Sequence, residues 1–103
     1  MSDILPGPDC TTMAEVRAGV DALDRELVAL LRRRFDYMDA AARIKPERGH
    51  VRDEARKAQV IAQARAEAEA QGLPGEVIAD LWERLVEASI AYELASFDER
   101  ASG

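Results

Sequence analysis

The chain has few of the residues that build redox, metal and nucleophilic sites. Its 103 residues include one cysteine, Cys10, and one histidine, His50. A lone cysteine excludes an intrachain disulfide and is typical of a reducing cytoplasm. One cysteine with one histidine also cannot form a conventional metal cluster, and His50 stands in a predicted loop where we expect it to be solvated. We therefore expect no metal site.

Positive charge and long apolar runs are scarce as well. The 14 basic residues are outnumbered by 20 acidic ones, and the formal net charge is −6. This balance argues against nucleic acid or an anionic membrane as a main partner. No apolar run approaches the length of a membrane span, and the first eight residues lack the pattern of a signal peptide. These features predict a soluble, cytoplasmic protein.

Proline and glycine are few, and they divide the chain into segments. Residues 1–10 contain the run Pro6-Gly7-Pro8 and are predicted to form a flexible arm, which precedes a single domain over residues 11–103. A second break is predicted at residues 46–50, which begin with a proline, and a third at residues 72–74.

Three helices occupy the segments between these breaks. A capping box of Thr12 and Glu15 predicts the start of the first helix, which continues to about Ile44. The second helix is predicted over residues 52–70, which are rich in good helix formers, and the third over residues 74–97. No strand pattern appears, so the predicted fold class is all-α, with one long helix and two shorter ones.

The first helix carries an apolar stripe that one short chain cannot cover. Its apolar residues recur at steps of three and four, as Met13, Val16, Val20, Leu23, Leu27 and Leu30. A helix of about 33 residues extends roughly 50 Å, whereas a compact chain of 103 residues has a radius of gyration of about 13 Å. A second copy is the simplest cover, so we predict an intertwined homodimer in which the first helices pair across the dyad.

Three charged residues stand on these apolar faces. Arg34 occupies the next position of the stripe, and Lys45 falls within about 20° of the same direction. Glu93 follows Trp82 and Val86 at helical spacing on the third helix, where Trp82 is expected to belong to the core. A buried cation is costly unless an anion meets it. The first helix is therefore predicted to face a pocket for a small anion.

Each candidate residue also has an ordinary structural interpretation. Arg34 could extend its guanidinium to solvent, and Glu93 could turn outward at a frayed helix end. Arg17 could be a surface residue paired within its own helix. Asp53 and Arg56, at the start of the second helix, could be an intrahelical pair. No single residue decides between these alternatives.

The order and spacing of several motifs resemble those of the all-helical chorismate mutases and the related isochorismate-pyruvate lyases. The resemblance covers about residues 11–97. The motifs are Val16-Arg17, Asp21-x-x-Asp24, Arg33-Arg34, Lys45, Val51-Arg52-Asp53 with Arg56, and Glu93. Members of this family are three-helix chains that interlock as dimers with two active sites. The resemblance implies the same assembly for this chain, and an enzyme that uses no cofactor.

The resemblance implies that three arginines bind the carboxylates of the substrate. Arg34 matches the arginine that grips a carboxylate in its own subunit, and Arg56 matches an arginine near the carboxylate-binding end. Arg17 matches the arginine that is donated from the other subunit. This agrees with helix geometry, because seventeen residues rotate Arg17 by about 100° from Arg34.

The remaining matches concern the ether oxygen and the ring hydroxyl. Lys45 matches the lysine that reaches the ether oxygen, and Glu93 matches a position held by Gln or Glu that donates a hydrogen bond to it from the opposite side. Glu93 can do so only when protonated. Asp53 matches an acidic residue at the ring hydroxyl. Lys57 departs from the pattern, because several mutases have a glutamate there.

The activity implied is that of a chorismate mutase, an isomerase of the shikimate pathway that converts chorismate to prephenate for aromatic amino acid biosynthesis. An alternative is an isochorismate-pyruvate lyase, which gives salicylate and pyruvate. The short loop after Lys45 and the run Asp9-Cys10-Thr11 favour the lyase, whereas Asp53 favours the mutase. A third alternative is a non-catalytic helical dimer, although such a module would need no buried cations.

Overall fold

The computed structural model describes residues 4–102, and this part of the chain is helical with no strand. It contains α1 (Met13–Ile44), α2 (Glu54–Ala70) and α3 (Gly75–Ser102), with 3-10 turns at Gly7–Asp9 and Arg48–His50. The predicted all-α class with three helices is confirmed. Residues 1–3 of the predicted arm, and residue 103, lie outside the described part.

The start of α1 is held by the predicted capping box. The backbone N–H of Thr12 donates to Oε1 of Glu15 over 3.0 Å, and the N–H of Glu15 donates to Oγ1 of Thr12 over 3.2 Å. The N–H of Thr11 donates to the same carboxylate over 2.9 Å. These bonds stabilise the charged form, and the one from Thr11 is the largest cause of a lowered pKa for Glu15.

Helix α2 begins two residues later than predicted, at Glu54, because Asp53 caps it. Asp53 has an extended backbone, and its Oδ1 accepts a hydrogen bond from the N–H of Arg56 over 3.0 Å. Asp53 thus satisfies one of the backbone donors that the first turn leaves without a helical partner. The predicted interval from residue 52 included this cap and the residue before it.

The predicted stop at Gly72 is confirmed. Gly72 has a φ of +77°, a left-handed conformation that glycine adopts without steric cost. The N–H of Leu73 donates to the carbonyl of Ala68 over 2.8 Å, and the N–H of Gly72 donates to that of Glu69 over 3.1 Å. This is the Schellman pattern of hydrogen bonds. Helix α3 then continues to Ser102, beyond the predicted end at residue 97, since no proline or glycine interrupts residues 98–102.

The described helices belong to two compact units, Met1–Arg34 and Phe35–Gly103. In the second unit, α2 and α3 pack around a small apolar core. The core residues are Val51, Val86 and Ile90, with Val60, Ile61, Trp82 and Leu94 against them. Trp82 therefore packs where the sequence predicts it. Buried alanines lie on both helices, at Ala68 and Ala79, and allow a close approach of helix backbones.

In the first unit, the apolar stripe of α1 lies largely at the surface. Exposed fractions are between 50% and 58% for Met13, Val20, Leu23, Leu27 and Leu30. Residues 4–7 and Cys10 of the predicted arm line an apolar groove of about 400 Å³ together with the start of α1. The flexibility of the arm stays a prediction. Within residues 4–102, no helix combines the length and the hydropathy needed to cross a bilayer.

Candidate functional site

Two of the predicted site residues, Lys45 and Glu93, meet in the second unit. Lys45 directly follows α1, and its N–H donates to the carbonyl of Ala41 over 2.9 Å. Its Nζ donates to Oε2 of Glu93 over 2.6 Å. The side chain of Glu93 is 5% exposed and that of Lys45 is 30% exposed. A buried carboxylate thus faces an ammonium group that solvent and small molecules can reach.

The position of Glu93 in α3 explains its burial. Ser89 lies one helical turn earlier, and these two are the buried polar residues of the described chain. The hydroxyl of Ser89 donates to the carbonyl of Leu85 over 2.7 Å, within the same helix. Glu93 instead accepts a hydrogen bond from Lys45, the residue that follows α1. The alternative in which Glu93 turns to solvent at a frayed helix end is wrong, because α3 continues nine residues further.

A second polar contact joins α1 to α3, and the sequence pattern does not predict it. Tyr92 Oη donates to Oδ2 of Asp39 over 2.9 Å, and Ser96 Oγ donates to Oδ1 of the same residue over 3.1 Å. The rings of Phe35 and Tyr92 also meet edge to face, with 4.8 Å between their centroids. The available signal was a pair of hydroxyls four residues apart on α3, but spacing alone does not reveal their acceptor.

Asp53 and Arg56 lie at the start of α2, and both are exposed. Asp53 binds the backbone N–H of Arg56 rather than its guanidinium, which donates to Oε1 of Gln59 over 2.7 Å. The two residues do form an intrahelical pair, but through a capping hydrogen bond to the backbone rather than between their side chains. Their roles toward a ligand stay predictions.

Lys57, which departs from the family pattern, is engaged by acidic residues of α3. Its Nζ donates to Glu83 and to Glu87, each over 2.8 Å. Glu87 also accepts two hydrogen bonds from the guanidinium of Arg52. The bonds from Arg52, followed by those from Lys57, lower the pKa of Glu87 to about 2. Lys57 thus serves to join α2 to α3.

The loop that follows Lys45 is fastened to the end of α3. The guanidinium of Arg48 donates to both carboxylate oxygens of Asp98, over 2.8 Å and 3.2 Å. These bonds lower the pKa of Asp98. His50 is exposed in this loop, as predicted, with its Nε2 3.8 Å from Oε2 of Glu47. The hydrogen bonds between Arg48 and Asp98 therefore hold the loop that directly follows Lys45, the predicted catalytic lysine.

Arg17 and Arg34 belong to the first unit. Arg17 is exposed, whereas Arg34 is half-buried. Because both lie on one continuous helix, seventeen residues separate them by about 25 Å along its axis. One helix cannot bring both guanidinium groups to the same small anion.

Comparison with known proteins identifies the family to which the chain belongs. The chain matches the family described as Chorismate mutase type II over residues 16–94, a span that includes all six predicted site residues. It is also 30% identical over 86 residues to the isochorismate pyruvate lyase of Pseudomonas aeruginosa. The aligned region covers 84% of this chain and 85% of that protein. The chain therefore belongs to the all-helical chorismate mutase family, of type II.

Proposed function

We propose that this chain is a chorismate mutase, with its catalytic domain over residues 11–103 and a cytoplasmic setting. The observation that carries the proposal is the contact between Lys45 and Glu93, 2.6 Å long and formed at a buried carboxylate. It brings a cation and a potential hydrogen-bond donor together at one point. The family of the chain supplies the substrate class, a small dicarboxylate with an ether bridge.

The reaction is an intramolecular rearrangement in which the ether C–O bond breaks as a new C–C bond forms. It needs no nucleophile and no cofactor. The protein has to hold the enolpyruvyl arm over the ring, and to stabilise the negative charge that develops on the ether oxygen. Lys45 donates to that oxygen from one side. Glu93, in its protonated form, donates from the other side.

Arginines bind the two carboxylates in this proposal. Arg34 and Arg56 serve the subunit to which they belong, and Arg17 comes from a second copy. The exposed apolar stripe of α1 supports a homodimer, because a contiguous apolar surface of this kind usually marks an interface. The 25 Å spacing of Arg17 and Arg34 along α1 supports donation across it.

Asp53 is proposed as the contact for the ring hydroxyl. Its Oδ1 already caps α2, but an ionised carboxylate has about four acceptor sites, so the cap leaves capacity for a hydroxyl. Lys57 is held by Glu83 and Glu87 and would not replace the glutamate that several mutases use. Asp53 therefore acts alone on the hydroxyl.

The second candidate is an isochorismate-pyruvate lyase, which uses the same cations to release pyruvate and leave salicylate. The named relative from Pseudomonas aeruginosa favours it. The two activities differ in the ring position of the hydroxyl, so the hydroxyl contact is the point at which they separate. Lys45, Arg34 and Arg17 keep their roles in either case.

Product analysis of the purified protein, given chorismate and isochorismate in separate reactions, tests the proposal. We expect prephenate from chorismate and little salicylate from isochorismate. Dominant formation of salicylate and pyruvate would instead establish the lyase and overturn the assignment of Asp53. Neither product, together with no thermal stabilisation by a dicarboxylate transition-state mimic, would favour the non-catalytic dimer.

Asp53→Asn sharpens this test, because asparagine caps a helix about as well as aspartate does. A change in KM then reports the loss of the carboxylate rather than fraying of α2. We expect a raised KM for chorismate with an unchanged melting temperature. Glu99→Gln, at an exposed position of α3, is the matched control.

A further inference from the structure

Four side-chain contacts connect the last turns of α1, and the residue that follows it, to α3 in the second unit. Phe35 packs its ring on Tyr92, Asp39 accepts from Tyr92 and Ser96, and Lys45 ends the series at Glu93. Glu93 is thus flanked in sequence by the two donors of the Asp39 contact. The same few residues therefore join these helices and form the candidate reactive pair.

Asp39 is suited to fix one helix against the other. It is half-buried, and each of its carboxylate oxygens accepts a hydroxyl from a different turn of α3. Sliding α1 along α3 by one residue, about 1.5 Å, would break at least one of these bonds. Hydrogen bonds to an ionised carboxylate are also stronger than those between neutral groups.

We propose that Asp39 is a positioning residue, which acts through Tyr92 and Ser96 to set the separation between Lys45 Nζ and Glu93. Six residues, about 9 Å of helix, join Asp39 to Lys45, and Glu93 directly follows Tyr92. A shift of α1 at Asp39 therefore reaches Lys45 with little loss. The inference rests on the proposed function, since it assigns a further residue to the same site.

The separation matters because both groups have to reach one ether oxygen. A misplacement of about 1 Å can reduce turnover about 100-fold, even when it originates away from the reacting atoms. The register of α1 on α3 sets where the backbone of Lys45 lies, and therefore how far its four-carbon stem has to extend to bring Nζ to the ether oxygen. The Asp39 contact fixes that register.

Variants of this contact test the proposal by turnover. Asp39→Ala removes both acceptors, and we expect kcat to fall about tenfold or more while KM changes less than about twofold. Asp39→Asn keeps an acceptor for Tyr92 and a polar partner for Ser96, so it should retain kcat within about threefold. Tyr92→Phe and Ser96→Ala each remove one hydroxyl, and they replace Asp39→Ala in the same measurement if that variant does not fold. Glu99→Ala is the control for loss of an exposed carboxylate.

A double-mutant cycle with Lys45→Ala separates positioning from a purely structural role. If Asp39 acts by placing Lys45, Asp39→Ala should lower kcat by less than about twofold once Lys45 is absent. An equal fractional loss with and without Lys45 would overturn the proposal. A loss of activity that is fully explained by a smaller fraction of folded protein would overturn it as well.

A structural measurement keeps this test separate from the proposed function. Crystal structures of the wild-type protein and of Asp39→Ala, or of Tyr92→Phe if that variant is needed, give the distance from Lys45 Nζ to Glu93 Oε2. We expect it to lengthen from 2.6 Å to beyond hydrogen-bonding range. An unchanged distance would refute the positioning role. A wild-type protein that makes neither product would refute the function alone.

Discussion

Glu93 is a carboxylic acid with a side chain only 5% exposed, and a charge buried to this extent needs a partner. Lys45 is that partner, at 2.6 Å. In the proposed reaction the lysine transfers its hydrogen bond to the ether oxygen, and Glu93 becomes a donor itself. The proposed role therefore requires a neutral side chain with a hydrogen-bond donor at position 93, which glutamine would also provide.

Replacement of Glu93 tests whether a hydrogen-bond donor is needed at this position. Glu93→Gln keeps a neutral donor and should retain kcat within about tenfold, whereas Glu93→Ala removes the donor and should lower kcat by about 10²–10³, as for a lost oxyanion donor. Steady-state rates of both variants, with Glu99→Gln as the control, make the measurement. Equal losses in Glu93→Gln and Glu93→Ala would contradict the donor role.

At the level of helices, α2 and α3 are joined by the small apolar core and by an ion-pair network at its edge. The network comprises Arg52, Glu54, Lys57, Glu83 and Glu87. An isolated surface pair contributes little to stability. Here Glu87 is shared by two cations, and the hydrogen bond from Arg52 is the largest cause of its lowered pKa.

Acid should weaken this connection through Glu87. Its pKa falls from 4.5 to about 2 on folding, so its stabilisation is present above pH 4.5 and is lost as the pH falls toward 2. Above pH 4.5 the wild type should have a larger free energy of unfolding than Glu87→Gln. We expect this difference to shrink as the pH falls toward 2. Urea unfolding at a series of pH values and one protein concentration measures it.

Two results bear on that interpretation. Glu99→Gln, which alters an exposed carboxylate elsewhere on α3, should not reproduce the change. A difference between the wild type and Glu87→Gln that stays constant down to pH 2 would mean that the network does not stabilise the fold through charge. Added salt should reduce the difference, because exposed pairs are screened.

For the whole molecule, the central proposal is a homodimer whose sites each use Arg17 from the partner. Arg17→Ala and Lys45→Ala should both be nearly inactive as pure proteins, the second by about 10²–10³ in turnover as for a lost oxyanion donor. Unfolded together and refolded as a mixture, they form heterodimers in which one site has both residues intact. We expect roughly a quarter of the wild-type activity per chain.

The mixing experiment has a clear contrary outcome. If Arg17 served its own subunit, each site of the heterodimer would lack one of the two residues, and no activity would return. Light scattering of each variant provides the control, since a monomeric variant would fail to complement for a different reason. Leu27→Glu on the apolar stripe should disrupt the dimer itself.

Sequence by itself determined those features that depend on neighbours along the chain. The capping box at Thr12, the stop at Gly72 and the apolar stripe of α1 follow from residues within one or two turns of each other. Helical spacing also places Glu93 in line with Trp82 and Val86, but it leaves open whether the side chain faces the core or solvent. Such short-range interactions involve the same few atoms in almost any fold.

Tertiary structure decided which distant side chains meet. The partners Lys45 and Glu93 are 48 residues apart, and Asp39 and Ser96 are 57 apart. Lys57 likewise finds its carboxylates on the next helix, 26 and 30 residues away. Such pairs depend on the rotation and register of one helix on another, which the packing of the whole core sets and which no local spacing encodes.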